Sequence, residues 1–263
     1  MNFQRPVTNI WNNKSNKLSQ LNQLIYRSNL LGSDLSITNF GGGNTSSKMI
    51  VKDPITKTKE KILYVKGSGG DLGSIKEDGF ASLYQEKLNN LKNIYRGIKY
   101  EDEMVSYYPM CTFNNNSRAA SIDTPLHAFV PYDEVDHTHP DSIIALATMK
   151  GGREIVKKVF DNKIGWIDWQ RPGFDLGLKM ERLIKAYPNI EGIVLGHHGL
   201  FNWGKSSHEC YNNSIRIIRE AQVYLNQNIK KYSFGKPKYK QKTDPLFERK
   251  LISILRGCLS IDN

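Results

Sequence analysis

The sequence predicts a mixed α/β fold, and three observations carry that expectation. Short β-branched or apolar runs, such as Lys61–Val65 and Gly192–Gly196, alternate with longer stretches whose apolar residues recur at helical spacing. Glycine- and asparagine-rich turns separate them. At 263 residues the chain can bury one large core or two small ones. Residues 1–228 read as the main domain, and 229–263 as a basic linker with a C-terminal helix.

Composition narrows the function classes. Hydrophobic residues make up 39% of the chain and charged residues 24%, as in a globular protein. The longest apolar stretch, Ile143 to Met149, is too short to span a bilayer, so no membrane is expected. Cys111, Cys210 and Cys258 are far apart and offer neither a disulfide framework nor a C-x-x-C pair. The N-terminus, Met1 to Pro6, lacks the apolar core of a signal peptide. A reducing, cytoplasmic setting is expected. The net charge of +11 raises nucleic acid as a partner, but the lysines are scattered and no zinc-finger, basic-zipper or aromatic RNA-binding pattern occurs. A positive field suits instead an anionic small substrate such as a phosphate ester.

Taken in order, Leu18, Leu21, Leu24, Ile25 and Leu31 predict an amphipathic helix over 17–31. Ser36 to Phe40 reads as a short strand feeding Gly41-Gly42-Gly43-Asn44-Thr45-Ser46-Ser47-Lys48. Glycines there let the backbone approach a ligand while hydroxyls and N–H groups face it, the chemistry of an anion nest; a plain inter-strand loop is the alternative. The glycine spacing fits neither a dinucleotide fingerprint nor a Walker loop. Met49–Val51 and Lys61–Val65 predict a hairpin about Lys52-Asp53-Pro54. It delivers a second glycine loop, Lys66-Gly67-Ser68-Gly69-Gly70-Asp71, and then a helix over 78–94 whose N-terminus would attract anions. Residues 107–117 are polar and turn-rich.

Asp123 and His127 lie four apart and share a face of a helix that Pro125 permits in its first turn. Asp123 is there either a general base or a helix N-cap. In Val135-Asp136-His137-Thr138-His139-Pro140, the two histidines project from the same side of a strand, because side chains alternate faces. Their imidazoles can converge on one divalent metal with a third ligand from elsewhere. Neutral imidazole suits zinc, and three protein ligands with an open position make a catalytic rather than a structural site.

A helix over 141–149 follows, with Ile144 and Ala145 facing inward, then a strand and docking loop over 165–174. Arg171 in that loop is either a substrate contact or a surface residue. A helix over 176–187 packs Leu178, Leu183 and Ile184 inward. The buried strand Gly192–Gly196 ends at His197-His198-Gly199, before a turn at Asn202-Trp203-Gly204. One of these histidines is well placed as the third ligand; adjacent side chains point oppositely, so only one can serve. Ser206 to Glu209 matches a capping box. It opens a long helix with Tyr211, Ile215, Ile218 and Leu225 on one stripe and His208 toward solvent. Lys230, Lys231 and Gly235–Lys240 form a basic linker, and a last helix over 246–259 packs on the domain or a neighbour.

The two glycine loops, H-x-H and H-H-G-L in this order resemble the class II aldolase/adducin family. Ser121-Ile122-Asp123-Thr124-Pro125-Leu126-His127, Asp136-His137-Thr138-His139-Pro140 and Gly165-Trp166 through Arg171-Pro172-Gly173-Phe174 are most similar to the aldolase domain of bifunctional rhamnulose-1-phosphate aldolase/dehydrogenases. The resemblance covers roughly residues 15–260. It implies a three-layer α/β/α sandwich on a central, mostly antiparallel sheet, assembled as a homotetramer. It implies Zn²⁺ held by His137, His139 and His198, the last being the histidine directly before Gly199. Asp123 would move the proton, standing where better-known sugar-phosphate aldolases carry the glutamate of E-x-x-x-H, one methylene longer. Asn44, Thr45, Ser46, Ser68 and Gly69 would hold the substrate phosphate. The implied reaction is cleavage of a ketose 1-phosphate, best matched by L-rhamnulose 1-phosphate, to dihydroxyacetone phosphate and lactaldehyde. Pentulose-phosphate epimerisation and sugar-phosphate dehydration use the same scaffold, and an adducin-like binding module is the non-catalytic alternative. The bifunctional relatives continue into a nucleotide-binding dehydrogenase; this chain ends at Asn263, so no NAD chemistry is expected.

Overall fold

Seven strands in the order β3-β2-β1-β4-β7-β6-β5 form the sheet on which the rest of the main unit is laid. They are β1 (Asn44–Lys52), β2 (Lys59–Lys66), β3 (Phe80–Tyr84), β4 (Glu134–Thr138), β5 (Ile164–Ile167), β6 (Gly192–Leu195) and β7 (Gly199–Gly204). Every neighbouring pair is antiparallel except β5–β6, which is parallel. The computed structural model describes residues 6–114, 118–228 and 244–260. Residues Asn2–Asn228 make one compact unit and Ile229–Asn263 belong to another.

Helices cover both faces of the sheet. On one lie α1 (Gln20–Gly32), α5 (Asp141–Thr148), α6 (Gly152–Val159) and α8 (Ser207–Asn228). On the other lie α2 (Gln85–Asn90), α3 (Glu101–Tyr107), α4 (Thr124–Ala128) and α7 (Phe174–Ala186). The expected α/β/α sandwich is therefore the observed fold. The alternation of strand side chains divides the core between the two faces. Val135, Ile193, Leu195, Phe201 and Trp203 pack against Leu126 of α4 and Leu176, Met180 and Ile184 of α7. Met49 and Phe80 pack against Leu24 of α1 on the opposite face. Each such fully buried large side chain contributes about 1.5–3 kcal/mol.

Several local expectations give way to the tertiary pattern. Residues 36–40 form turns rather than a strand, and β1 begins at Asn44. The helix expected over 78–94 is a strand followed by short helices. Phe80, Leu83, Leu88 and Leu91 do have helical spacing, but β3 pairs with β2 and sends Phe80 to one core and Ala81 and Leu83 to the other. In α5 the inward residues are Ile143, Leu146 and Ala147, one step round from the face expected, while Ile144 and Ala145 are half-buried. Asn202-Trp203-Gly204 is the end of β7, and the hairpin turn lies earlier, at Gly196–His198. The helix α6 was not foreseen.

At the start of α7 the backbone N–H groups of Phe174 and Asp175 donate to the Glu101 carboxylate of α3. Tyr95 donates its hydroxyl to the same group at 2.9 Å. A carboxylate there satisfies free N–H groups at the positive end of the helix. Ser206 accepts the Glu209 N–H at 3.2 Å, the first half of the expected capping box, while the Glu209 carboxylate accepts from the N–H of Lys205 at 3.0 Å, one residue before the Ser206 N–H that a full box would use. Tyr211, Ile215, Ile218 and Leu225 of α8 are all buried.

In the second unit, α9 (Pro245–Leu259) is capped by Asp244, whose side chain accepts from the N–H groups of Leu246 and Phe247 at 3.0 and 3.2 Å. It buries none of its residues. The basic stretch 230–240 lies outside the described residues. Among the described residues no helix is long and apolar enough to cross a membrane.

Candidate metal centre and active site

β4 and β7 run side by side with His137 opposite Phe201 and Thr138 opposite Leu200. This register fixes the His137 ring. Its Nδ1 is 3.0 Å from the Leu200 carbonyl oxygen, and its plane stacks on Phe201 at 4.1 Å between centroids. A carbonyl can only accept, so Nδ1 carries the proton and Nε2 presents its lone pair. His139 follows β4 and projects from the same side as His137. His198 comes from the β6–β7 turn. His137 Nε2 lies 3.0 Å from His139 Nε2 and 3.2 Å from His198 Nε2. All three ligand atoms fall within 4.8 Å of one another.

These spacings fit a metal. Zinc–nitrogen bonds of 2.0–2.1 Å at tetrahedral angles place ligand nitrogens about 3.3 Å apart. Burial, with the neighbouring imidazoles, holds His137 well below its ordinary range and His139 at about 4; burial also lowers His198. All three are therefore neutral at pH 7, the state in which imidazole ligates. The triad can hold one divalent ion.

The backbone explains why these residues and not their neighbours converge. His197 adopts a left-handed conformation, φ 56°, and is exposed, so the turn places His198 toward His137 and His197 away. Gly199 is needed for close approach. A Cβ there would lie 2.6 Å from the Thr138 carbonyl oxygen and 2.8 Å from His139 Cδ2. A Cβ on Gly42 would lie 3.1 Å from His139 Nδ1, which brings the first glycine loop against the triad.

Asp123 stands at the N-cap position of α4 but forms no side-chain cap, which removes the bland reading of this residue. Its Oδ1 is buried without a hydrogen-bond partner. Burial pushes the carboxyl up to about 6, against the opposing pull of Lys66 and the Ser121 hydroxyl. A carboxylate held near neutrality can both take and return a proton. Asp123 and the triad belong to the same face of the sheet, and the Lys66 charge acts on both Asp123 and His139.

The residues expected to hold phosphate separate. Asn44 pairs with His137 across β1–β4 and shares its face. Ser46 also faces that way, but its hydroxyl is 2.8 Å from His127 Nδ1, deep in the core. Thr45 points to the opposite layer, where its hydroxyl is 2.6 Å from Ser28 of α1. The reason is the strand boundary: with β1 beginning at Asn44, Thr45 and Ser46 are ladder residues rather than loop residues. Ser68 and Gly69 lie in the exposed second loop. Arg171 pairs with Asp102 at the surface. His208 is half-buried and stacks on Trp11 at 5.1 Å between centroids.

Sequence reading passed over two groups here. In the sequence Lys66 reads only as the start of a loop, yet its side chain is buried. Beneath β4, Arg27 of α1 is fully buried and pairs with Glu134 and, at 2.9 Å, with Asp136. Burial alone would lower this guanidinium, but the two carboxylates hold it above its ordinary value. It also donates to the Ser46 carbonyl at 2.7 Å and to the Ser207 hydroxyl at 2.7 Å, tying α1, β1, β4 and α8 together. The alternating acids of Glu134-Val135-Asp136-His137 were the available signal.

The family model of the class II aldolase and adducin N-terminal domain matches residues 22–225. The chain belongs to the class II aldolase and adducin family. Among solved structures, the N-terminal class II aldolase domain of a conserved Thermoplasma acidophilum protein superposes with a TM-score of 0.75 at 30% identity, covering 83% of this chain and 99% of that one. A sugar-phosphate aldolase from Thermotoga maritima shares the fold with a TM-score of 0.57 at 14% identity, over 83% of this chain and 97% of that one. A Bacillus subtilis (strain 168) protein described as the uncharacterized oxidoreductase YuxG is 38% identical over 260 residues. That match takes in 97% of this chain and 36% of the relative, so the chain spans about a third of that protein's length.

Proposed function

We propose that this class II aldolase family member is a zinc-dependent lyase that cleaves a ketose 1-phosphate, with L-rhamnulose 1-phosphate as the best-matched substrate. The observation that supports this most is the joint presence of three converging imidazoles and a buried carboxyl, Asp123, held near neutrality. His137, His139 and His198 would hold the ion. Zinc bound there supplies Lewis-acid stabilisation of the negative charge that develops on the substrate oxygens.

The chain's own groups do the rest. Asp123 accepts the proton of the substrate hydroxyl that becomes the aldehyde oxygen as the carbon–carbon bond breaks. It then returns a proton to the carbon left as an enediolate, yielding dihydroxyacetone phosphate and lactaldehyde. The ring of His137, fixed by Leu200 and Phe201, keeps the triad's geometry during this exchange. Asn44, Ser68 and Gly69 border the substrate. Activity in the cytoplasm and assembly as a homotetramer belong to the same proposal, on the family resemblance. The oxidoreductase description belongs to the longer relative, and no NAD step is assigned to this chain.

A coupled assay for dihydroxyacetone phosphate tests this. Zinc-loaded protein is offered rhamnulose and fuculose 1-phosphates and ribulose and xylulose 5-phosphates. Release of dihydroxyacetone phosphate from a ketose 1-phosphate is the expected result. Interconversion of the pentulose phosphates without it would establish the epimerase reading instead.

A further inference from the structure

Tyr108 opens the short turn of helix Tyr108–Cys111 that follows α3. Its side chain is 2% exposed and belongs to one core with Leu88 of α2, Met104 of α3 and Ala128 and Phe129 at the end of α4. A buried phenol ordinarily finds a hydrogen-bond partner for its hydroxyl. Among the described residues the Tyr108 hydroxyl has none.

Burial raises this phenol above its ordinary value, and the charges of Glu101 and Asp123 and the Cys111 thiol add to the effect. The group therefore stays protonated, a standing donor. Of the two acids that act on it, Glu101 is already engaged: its carboxylate accepts from the N–H groups of Phe174 and Asp175 and from the Tyr95 hydroxyl. Asp123 keeps Oδ1 buried and without a partner among the described residues. Lys66 of β2 and the Ser121 hydroxyl are the other groups that act on this carboxyl. Tyr108 also shares with Ala119 and Ala120 the lining of a cavity of about 310 Å³, which sets it against the segment leading into Asp123. An unengaged donor and an unengaged acceptor thus lie in the layer of the sheet that carries the metal centre.

We infer that Tyr108 is a positioning residue for Asp123: its hydroxyl donates toward the carboxylate through a bridging water, which satisfies both buried groups. A donor aimed at the charged form of a carboxyl favours that form. Tyr108 so keeps Asp123 turned and ionised, ready to accept the proton of the substrate hydroxyl. This rests on reading Asp123 as the base of the proposed reaction.

Carbon NMR of zinc-loaded protein labelled at the aspartate carboxyl carbons follows Asp123 without turnover, its signal being the one lost in Asp123→Asn. Tyr108→Phe removes the hydroxyl and keeps the ring in its core, so the fold is retained. In this variant the Asp123 midpoint should rise from about 6 by about half a pH unit or more, the loss of a donor to the charged form. Cys111→Ala, in the same core, should leave the midpoint where it is, which separates the hydroxyl from repacking. With the ketose 1-phosphate, Tyr108→Phe should lower kcat about tenfold or more at unchanged KM, and its acidic limb of kcat/KM should move up with the midpoint. A midpoint unmoved in Tyr108→Phe, one moved equally by Cys111→Ala, or an undiminished kcat in Tyr108→Phe would overturn the assignment. A midpoint moved as expected, with no ketose phosphate cleaved by the wild type, would leave the pairing of Tyr108 with Asp123 standing and overturn the proposed reaction instead.

Discussion

Burial holds the Asp123 carboxyl at about 6, and that value governs both activity and stability. As pH falls through 6 the carboxyl takes up a proton and can no longer accept one from substrate. At saturating zinc, kcat/KM should fall about tenfold per pH unit below about 6. The stability effect has the opposite sign. A folded carboxyl raised above its unfolded value binds its proton more tightly than the unfolded chain, so its contribution to stability declines as pH rises from about 4 to about 6. The shift corresponds to at most about 3 kcal/mol, and solvent contact at this half-buried residue reduces it. Asp123→Asn should therefore gain ~1–2 kcal/mol at pH 7–8, lose that gain below pH 4, and lose cleavage throughout; urea unfolding at the two pH values checks it. At Gly199, an added Cβ would meet the Thr138 carbonyl and the His139 ring. Gly199→Ala should weaken zinc binding on the order of 10–100-fold, read by competition with a chelating dye. The His137–His139 pair was legible in the sequence because strand alternation leaves no freedom about which side chains share a face. Lys66 was not, because nothing local separates a buried lysine at a strand end from the many on the surface.

Among the elements, β4 carries the heaviest demands. It presents Val135 and His137 to one layer and Glu134 and Asp136 to the other, where Arg27 meets both acids. Removing the guanidinium leaves two buried carboxylates without their cation. Arg27→Met should cost ~3–5 kcal/mol at pH 7, and less at pH 4, where the acids can protonate. Thermal unfolding at the two pH values measures the difference. The long amphipathic helices α1, α7 and α8 were legible from apolar spacing, since each lays one stripe on the sheet. β3 was not: Phe80, Leu83, Leu88 and Leu91 satisfy a helical period, and pairing with β2 decides the matter. Thr45 was misplaced for a related reason. Local chemistry marks 41–48 as a loop, while the ladders to β2 and β4 draw Asn44 onward into a strand.

For the molecule as a whole, the order of the strands brings the end of β4, the β6–β7 turn and the first glycine loop to one place. Sequence spacing identified the pieces, and the family resemblance supplied their joining; strand order itself is set by contacts between residues far apart in the chain. The central claim is that turnover depends on a metal held by His137, His139 and His198. Zinc titration of chelator-treated protein, with bound metal and dihydroxyacetone phosphate release measured on the same samples, tests it most directly. Turnover of the ketose 1-phosphate should rise in proportion to bound zinc up to about one ion per chain, and His139→Ala should lose both. Full cleavage by metal-free protein, or by His139→Ala without zinc, would contradict the account.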